Sequence, residues 1–370
     1  MRARRPGHLA TAGVAALAAA AAVAGCSSSS TTSSSSTTTP ASAATSSAPS
    51  SNTSASAAPA ASTGAATGKT LQIAYLSFAV ANSYDAPMLA AAQAAASAGN
   101  AKLTVFDANN DPKAQFAQLQ NAIGAGKYDG IIVQPIFGTG LTDLVKQAID
   151  KGIKVVNIDQ VLGPDLTTVQ PQVAGLSANI AFVPTDMGTK LGQLTVQACA
   201  SANLSPCKVG YLYDIKASSL DVAINKAFGT ATASSPVKVV AEGEDFFTPA
   251  GGLKAVQNML TAHPDINVIV GSDQGIEGAV QALDAAKKTG KVLLVGYGGS
   301  GAGLNGVKDG SWFGTVMQDP ASEGQIGVES LIKAIRDNTV TGGLDPLSKL
   351  PDQGIVTKAN VDNFTAEWPG

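Results

Sequence analysis

Asn82, Tyr84 and Asp85 stand within four residues of one another, directly after the apolar run Leu71-Gln72-Ile73-Ala74-Tyr75-Leu76. A buried strand that delivers an amide, an aromatic ring and a carboxylate to one mouth outlines a small-ligand site. The amide and carboxylate can take hydroxyl hydrogen bonds, and the ring can cover an apolar face. The pairing of an apolar run with a polar end recurs along the chain. Gln134 follows Gly130 to Val133, and Asp159 and Gln160 follow Lys154 to Ile158. Later ends carry Asp214, then Asp245 with Phe246 and Phe247, then Ser272 with Asp273, then Tyr297, and finally Gln318 with Asp319. One polar residue at a strand end needs no ligand, because such ends meet water and cap helices. The whole set matches a polyol, whose charge-assisted hydroxyl bonds are worth about 1.5–3 kcal/mol each.

Catalytic chemistry is poorly provided for. The chain has two histidines, His8 and His263. His8 falls in a leader, and His263 precedes Pro264 at a helix end, where capping suffices. A Ser-His-Asp triad on any other histidine and a His-rich metal site are both excluded. Nothing marks a carboxylate pair for glycoside hydrolysis. No catalytic residue, metal or cofactor is assigned. Gly296-Tyr297-Gly298-Gly299-Ser300-Gly301 fits GxGxxG between a strand and a helix, the pattern of dinucleotide binding. It lies late in the chain, and the plainer reading is a flexible ligand-facing loop. Asp107-x-Asn109-x-Asp111 hints at a calcium loop, but Pro112 stands where glycine is required and no Glu closes it. A capping turn is the expectation.

These residues need elements to position them. Apolar runs are expected as strands at 71–77, 102–106, 130–133 and 153–158, with helices at 88–98, 112–125 and 140–151 between and after them. The irregular segment 163–179 is read as the first crossing between lobes. The rhythm then restarts, with strands at 208–213, 237–242, 268–270, 291–295 and 314–317. Helices are expected at 184–200, 220–233, 251–262, 275–288 and 323–336. The expected fold is α/β: two doubly wound parallel-sheet lobes joined by a multi-crossing hinge. Lobe 1 is assigned 69–177 plus 319–350, and lobe 2 is assigned 178–318 plus 351–370. Ligands of such sheets sit at the carboxyl ends of strands, so two facing sheets surround one cleft.

The chain has 370 residues and a formal net charge of −3. Residues 1–25 read as a secretory leader, with Arg2, Arg4 and Arg5 ahead of the apolar stretch Leu9 to Val23. The leader ends in Val23-Ala24-Gly25-Cys26, which resembles a bacterial lipobox. That resemblance implies cleavage before Cys26, acylation of Cys26 and an extracytoplasmic protein anchored to the cell membrane. The export route stays open, because Arg4-Arg5 lacks the residues expected after a twin-arginine pair. Residues 26–68 form a Ser/Thr/Ala/Pro tether that cannot bury enough apolar surface to fold, with a mean reach of roughly 35 Å. Its Ser and Thr runs leave O-glycosylation open. About 300 residues remain, more than one core usually supports. Basic residues are scattered singly, which excludes the basic patch of a nucleic-acid binder. Cys199 and Cys207 flank a short break, and in an exported protein such a pair forms a disulfide rather than a metal site. Closing so short a loop contributes about 2.5 kcal/mol.

From about Lys69 to Lys358 the chain resembles the type I periplasmic sugar-binding proteins of ABC importers, the ribose- and galactose-binding group. The matching stretches are Ile73-Ala74-Tyr75 through Asn82-Ser83-Tyr84, Phe106-Asp107-Ala108-Asn109-Asn110-Asp111-Pro112, Gly130-Ile131-Ile132-Val133-Gln134-Pro135 and Val155-Val156-Asn157-Ile158-Asp159. To these is added Gly252 to Asp265, followed by Gly271-Ser272-Asp273. The resemblance implies that Asn82, Tyr84, Gln134, Asp159, Phe247, Ser272, Tyr297 and Gln318 line the ligand. Asp159 is expected to accept hydroxyl hydrogen bonds, and Asn82, Gln134 and Gln318 to read others. Tyr84, Phe247 and Tyr297 are expected to pack the ring. Asp85 and Gln160 complete the expected site. The chain departs from the group at three places. Gln160 stands where an arginine is common, Tyr297-Gly298 replaces an aromatic-Asp pair, and Leu220 to Ile224 offers Asp221 but no arginine. Asp85, at a position often aromatic in relatives, would replace the carboxylate lost at Gly298 if it faces the cleft. The implied protein is a monomeric lipoprotein that gives a sugar or polyol to an ABC permease. A second reading is a sensory clamshell that binds a nucleoside or signal molecule for a receptor.

Overall fold

The computed structural model describes residues 68–370. The leader, Cys26 and almost all of the tether lie outside the described residues. The chain first alternates strand and helix: β1 (Leu71–Ser77), α1 (Asp85–Ala98), β2 (Ala101–Asp107), α2 (Pro112–Ala125), β3 (Gly130–Val133), α3 (Gly138–Asp150), β4 (Lys154–Asp159) and β5 (Ala178–Ala181). It then crosses to α4 (Pro184–Ser201), β6 (Cys207–Tyr213), α5 (Ser219–Thr232), β7 (Val237–Glu244), α6 (Pro249–Ala262), β8 (Val268–Ser272), α7 (Asp273–Ala285), β9 (Leu293–Gly298), α8 (Gly301–Asp309) and β10 (Gly314–Met317). The chain returns with α9 (Pro320–Asp337) and β11 (Gly342–Leu344), and crosses again to β12 (Ile355–Thr357).

The strands build two sheets, ordered β2-β1-β3-β4-β5-β11 and β7-β6-β8-β9-β10-β12. Every pairing is parallel except that of β10 with β12. Helices cover both faces, so the central strands are mostly apolar, and β3 and β8 are buried at every residue. The first lobe packs around Tyr75, Ile132, Val156 and Leu331 on one face and Leu76, Ile131 and Leu144 on the other.

The helix boundaries have local causes. Asp111 caps α2 by accepting from the amides of Lys113 (2.8 Å) and Ala114 (3.3 Å), with Pro112 in the first turn. The Asp107-x-Asn109-x-Asp111 stretch is therefore a cap and turn, with Asp107 accepting from Asn109 at 2.9 Å. Gly126 closes α2 at φ +61°, a conformation glycine adopts without strain. Cys199 and Cys207 are joined by a disulfide, with their Cα atoms 5.8 Å apart.

The first crossing comes later than expected. β5 pairs with β4 and β11, so residues 178–181 belong to lobe 1 and the chain crosses only at Phe182-Val183. At four residues, β5 is too short to show periodicity, and Asn179 interrupts its apolar run. The Asn179 side chain is paid for by buried partners, accepting from Asn157 Nδ2 (2.6 Å) and donating to Val169 O (2.8 Å). The last crossing also shifts, because Leu347 packs into the core of lobe 2. The short elements α8, β11 and β12 were not expected from the sequence.

Candidate functional site

The carboxyl ends of the two sheets face each other across a cleft of about 420 Å³. Eight of the ten expected residues line it: Asn82, Tyr84, Asp85 and Asp159, then Gln160, Phe247, Tyr297 and Gln318. Asp85 does face the cleft. It opens α1 because the backbone turns at Asn82, whose Oδ1 accepts from the Tyr84 amide at 2.8 Å.

Gln134 and Ser272 do not line the cleft. Gln134 is fully buried behind it, and every polar group of its side chain is engaged. Its Oε1 accepts from the Phe78 amide (3.1 Å), and its Nε2 donates to Asp85 Oδ1 (2.5 Å) and Asp159 Oδ2 (3.2 Å). It holds two carboxyls in place instead of reading a hydroxyl. Ser272 is the N-cap of α7, accepting from the Gly275 amide (3.2 Å) and donating to Asp245 Oδ2 (3.3 Å). Both residues sit at strand ends, but their side chains turn inward, a direction that sequence position does not reveal.

The first-lobe carboxyls are strongly desolvated. Burial pushes Asp159 up to about 7, against the opposing hydrogen bond from Gln134. Burial and then the Asp159 charge hold Asp85 well above the usual carboxylate range. Asp159 also adopts φ +69°, a left-handed conformation that Asp tolerates better than most residues. Behind them Glu323 of α9 is fully buried with neither carboxyl oxygen bonded, and burial and then Asp159 raise it well above its ordinary value.

In the second lobe the carboxyls serve the backbone. Asp221 accepts from the amides of Asp214 and Ile215, both at 3.0 Å, and from the Ser218 hydroxyl at 2.8 Å. Asp245 accepts from the Phe247 amide at 2.9 Å, which shapes a turn where Phe246 and Phe247 both hold φ near +57° (57° and 56°). Asp214 accepts from the Tyr297 phenol, so Tyr297 presents its ring to the cleft and keeps its hydroxyl behind. Burial raises Asp214, and burial plus the Asp214 charge raises Asp245.

The glycine-rich loop does not face a ligand beyond Tyr297. Gly298, at φ +140°, offers its carbonyl to the Trp368 indole at 2.7 Å, and a Cβ there would meet Trp368 and Asp273. Buried Asp273 accepts from the Ser300 amide and hydroxyl, both at 2.8 Å, and from Thr315 at 2.7 Å. Glycine permits close approach here, but to the protein's own C-terminal segment.

Residues that sequence reasoning missed complete the cleft. Phe78, Phe182 and Leu220 line it, and Phe78 meets Phe247 edge to face with centroids 5.7 Å apart. Phe182 follows the unexpected β5. The lobes also touch directly. Asn82 Nδ2 donates to Phe247 O (3.3 Å), and Gln274 Nε2 donates to Asn82 Oδ1 and Ser83 Oγ, both at 3.1 Å. Tyr84 packs edge to face on Trp368 at 5.3 Å, and Ser322 donates from its amide to Glu367 at 2.8 Å. The structure is therefore in a closed arrangement. Trp368 carried no signal in the sequence, because nothing in its neighbours marks a terminal residue as packed.

Comparison with known proteins places these features in context. Residues 73–339 match the family described as the periplasmic binding protein domain. The xylitol-binding protein of Mycolicibacterium smegmatis is 30% identical over 277 residues, covering 72% of this chain and 72% of the relative. The ribose import binding protein of Salmonella typhimurium is 28% identical over 239 residues, covering 64% of this chain and 76% of the relative. Among solved structures, an ABC transporter solute binding protein from Bacillus halodurans with bound myo-inositol superposes with a TM-score of 0.69 at 21% identity, covering 82% of this chain and 100% of that one. One from Actinobacillus succinogenes with bound D-allose reaches 0.66 at 26% identity, covering 80% of this chain and 100% of that one.

Proposed function

The chain belongs to the periplasmic binding protein family, and on that premise we propose that it captures a sugar or related polyol outside the cytoplasm and presents it to an ABC permease. It is a binding protein and not an enzyme. One observation carries the reading: amides, carboxyls and aromatic rings from both lobes converge on one interlobe cleft. Asp159 and Asp85 accept hydroxyl hydrogen bonds, Gln160 and Gln318 read further hydroxyls, and the rings of Tyr84, Phe247 and Tyr297 cover the apolar face of the solute.

The mechanism is hinge closure. A solute that touches both lobes binds the closed state better and shifts the population toward it. The bonds from Asn82 and Gln274 across the cleft form only when the lobes meet, so they assist closure and report it. Cys26 supplies a lipid anchor, residues 27–68 act as a tether, and the protein works as a monomer. The Cys199–Cys207 disulfide suits an oxidising compartment.

A thermal-shift screen of the full chain against sugars and polyols tests the proposal. At saturation a cognate solute raises the melting temperature, with about 2.7 kcal/mol of stabilisation at one hundred times Kd. Absence of any shift across ribose, xylitol, myo-inositol, allose and the common hexoses would sink it.

A further inference from the structure

We infer that the solute carries a protonated amine beside its hydroxyls, as amino sugars and aminocyclitols do, because two carboxyls project into an aromatic-walled cleft that no lysine or arginine lines. The inference rests on the sugar-or-polyol reading above and narrows it.

The walls are aromatic on both sides. Phe78 and Tyr84 come from the first lobe, and Phe247, Tyr297 and Phe182, which packs into the second lobe's core, come from the other side. The charged groups of the lining are Asp85 and Asp159. Gln134 Nε2 spans these two carboxyls, donating to Asp85 Oδ1 and Asp159 Oδ2, and both carboxyls line the cleft. The amide supplies hydrogen bonds but no charge. The groups behind the walls supply no positive charge either, since Glu323 behind the first lobe's wall and Asp214 behind the second are carboxyls. A neutral polyol can give these carboxyls hydroxyl hydrogen bonds but no opposite charge, so it leaves a buried net charge or a protonated acid. An ammonium satisfies both at once, donating to each carboxylate while ring faces attract it through their quadrupoles. Gln160 and Gln318 remain to read hydroxyls, which separates this site from one built for a simple amine. A metal cation fits poorly, because among the described residues no three His, Cys, Asp or Glu side chains are placed to hold one.

The test is calorimetric titration of the full chain at pH 7.5 with matched pairs. These are D-glucose and D-glucosamine, D-galactose and D-galactosamine, and myo-inositol and scyllo-inosamine. The expected result is an amine bound about tenfold or more tighter than its hydroxyl partner. The Asp159→Asn and Asp85→Asn variants, each shown to melt cooperatively, should bring the pair toward parity by weakening the amine more than the neutral partner. Two variants guard against one failing to fold. If a neutral member binds as tightly as its amine, this inference fails and the sugar-or-polyol reading stands. Amine preference that survives both variants also overturns it, since the carboxyls would then not be its source. If neither member of any pair binds, both readings fall for this ligand class.

Discussion

Each lobe places a group of aspartates at its strand ends, and the two groups do opposite work. In the first lobe Asp85 and Asp159 share one amide donor, Gln134, and both line the cleft. In the second, Asp221 and Asp245 are saturated by backbone amides and hydroxyls, and Asp214 holds the Tyr297 phenol. The same residue type in the same topological place is thus a ligand group in one lobe and a turn clamp in the other. The difference lies in position: the second-lobe carboxyls stand behind the cleft on backbone amides and hydroxyls, and the first-lobe pair lines it.

The largest expected effect comes from breaking the first group. Asp159→Ala should abolish solute-induced thermal stabilisation while the protein still melts cooperatively, and an unchanged shift would remove Asp159 from the site. Asp221→Ala should do the reverse. Loss of three hydrogen bonds to a buried carboxyl should lower unfolding free energy by about 3 kcal/mol in urea titration, with solute affinity nearly unchanged. A marked affinity loss without destabilisation would erase the contrast.

The pH dependence sharpens the comparison further. Asp159 and Asp221 are both raised from 3.8 to about 7, chiefly by burial. A carboxyl raised in the folded state binds more protons there than in the unfolded chain between those values. The slope of stability against pH is therefore negative in that window. Melting temperature should fall as pH rises from about 4 to 7, and Asp85, Asp245 and Glu323, raised in the same direction, add to the fall. Asp159→Asn should flatten the first-lobe share, and a melting temperature that rises across this range would contradict the buried-carboxyl account.

Smaller effects separate closure from fold. Gln274→Ala removes the two bonds to Asn82 and Ser83 across the cleft. It should weaken solute binding about tenfold with little change in urea midpoint, at about 1–1.5 kcal/mol for the pair. Ser272→Ala should cost about 1 kcal/mol of stability through the lost cap of α7 and leave affinity alone. A binding defect in Ser272→Ala would return that serine to the site.

The two-lobed α/β architecture was legible in the chain because buried parallel strands need continuous apolar runs, and covering helices need their own caps. Eight of the eleven residues that line the cleft were expected, from the rule that such sheets bind ligands at their carboxyl ends and from the family resemblance. β5 escaped because four residues with an asparagine among them have no period. The crossing assigned to 163–179 moved for that reason.

The sequence alone determined the element rhythm, the poverty of histidines, the cysteine pairing and most of the polar residues at the mouth of the cleft. Those properties are local, set by side-chain type, spacing and backbone preference. Tertiary structure decided where each mouth residue points and what meets it. Gln134 became a brace, Ser272 a cap, Asp85 a cleft carboxyl, and Trp368 a neighbour of Tyr84. The glycine loop became a seat for Trp368. Each outcome depends on a donor or a ring brought from tens to hundreds of residues away, and such a partner leaves no mark in the local chain.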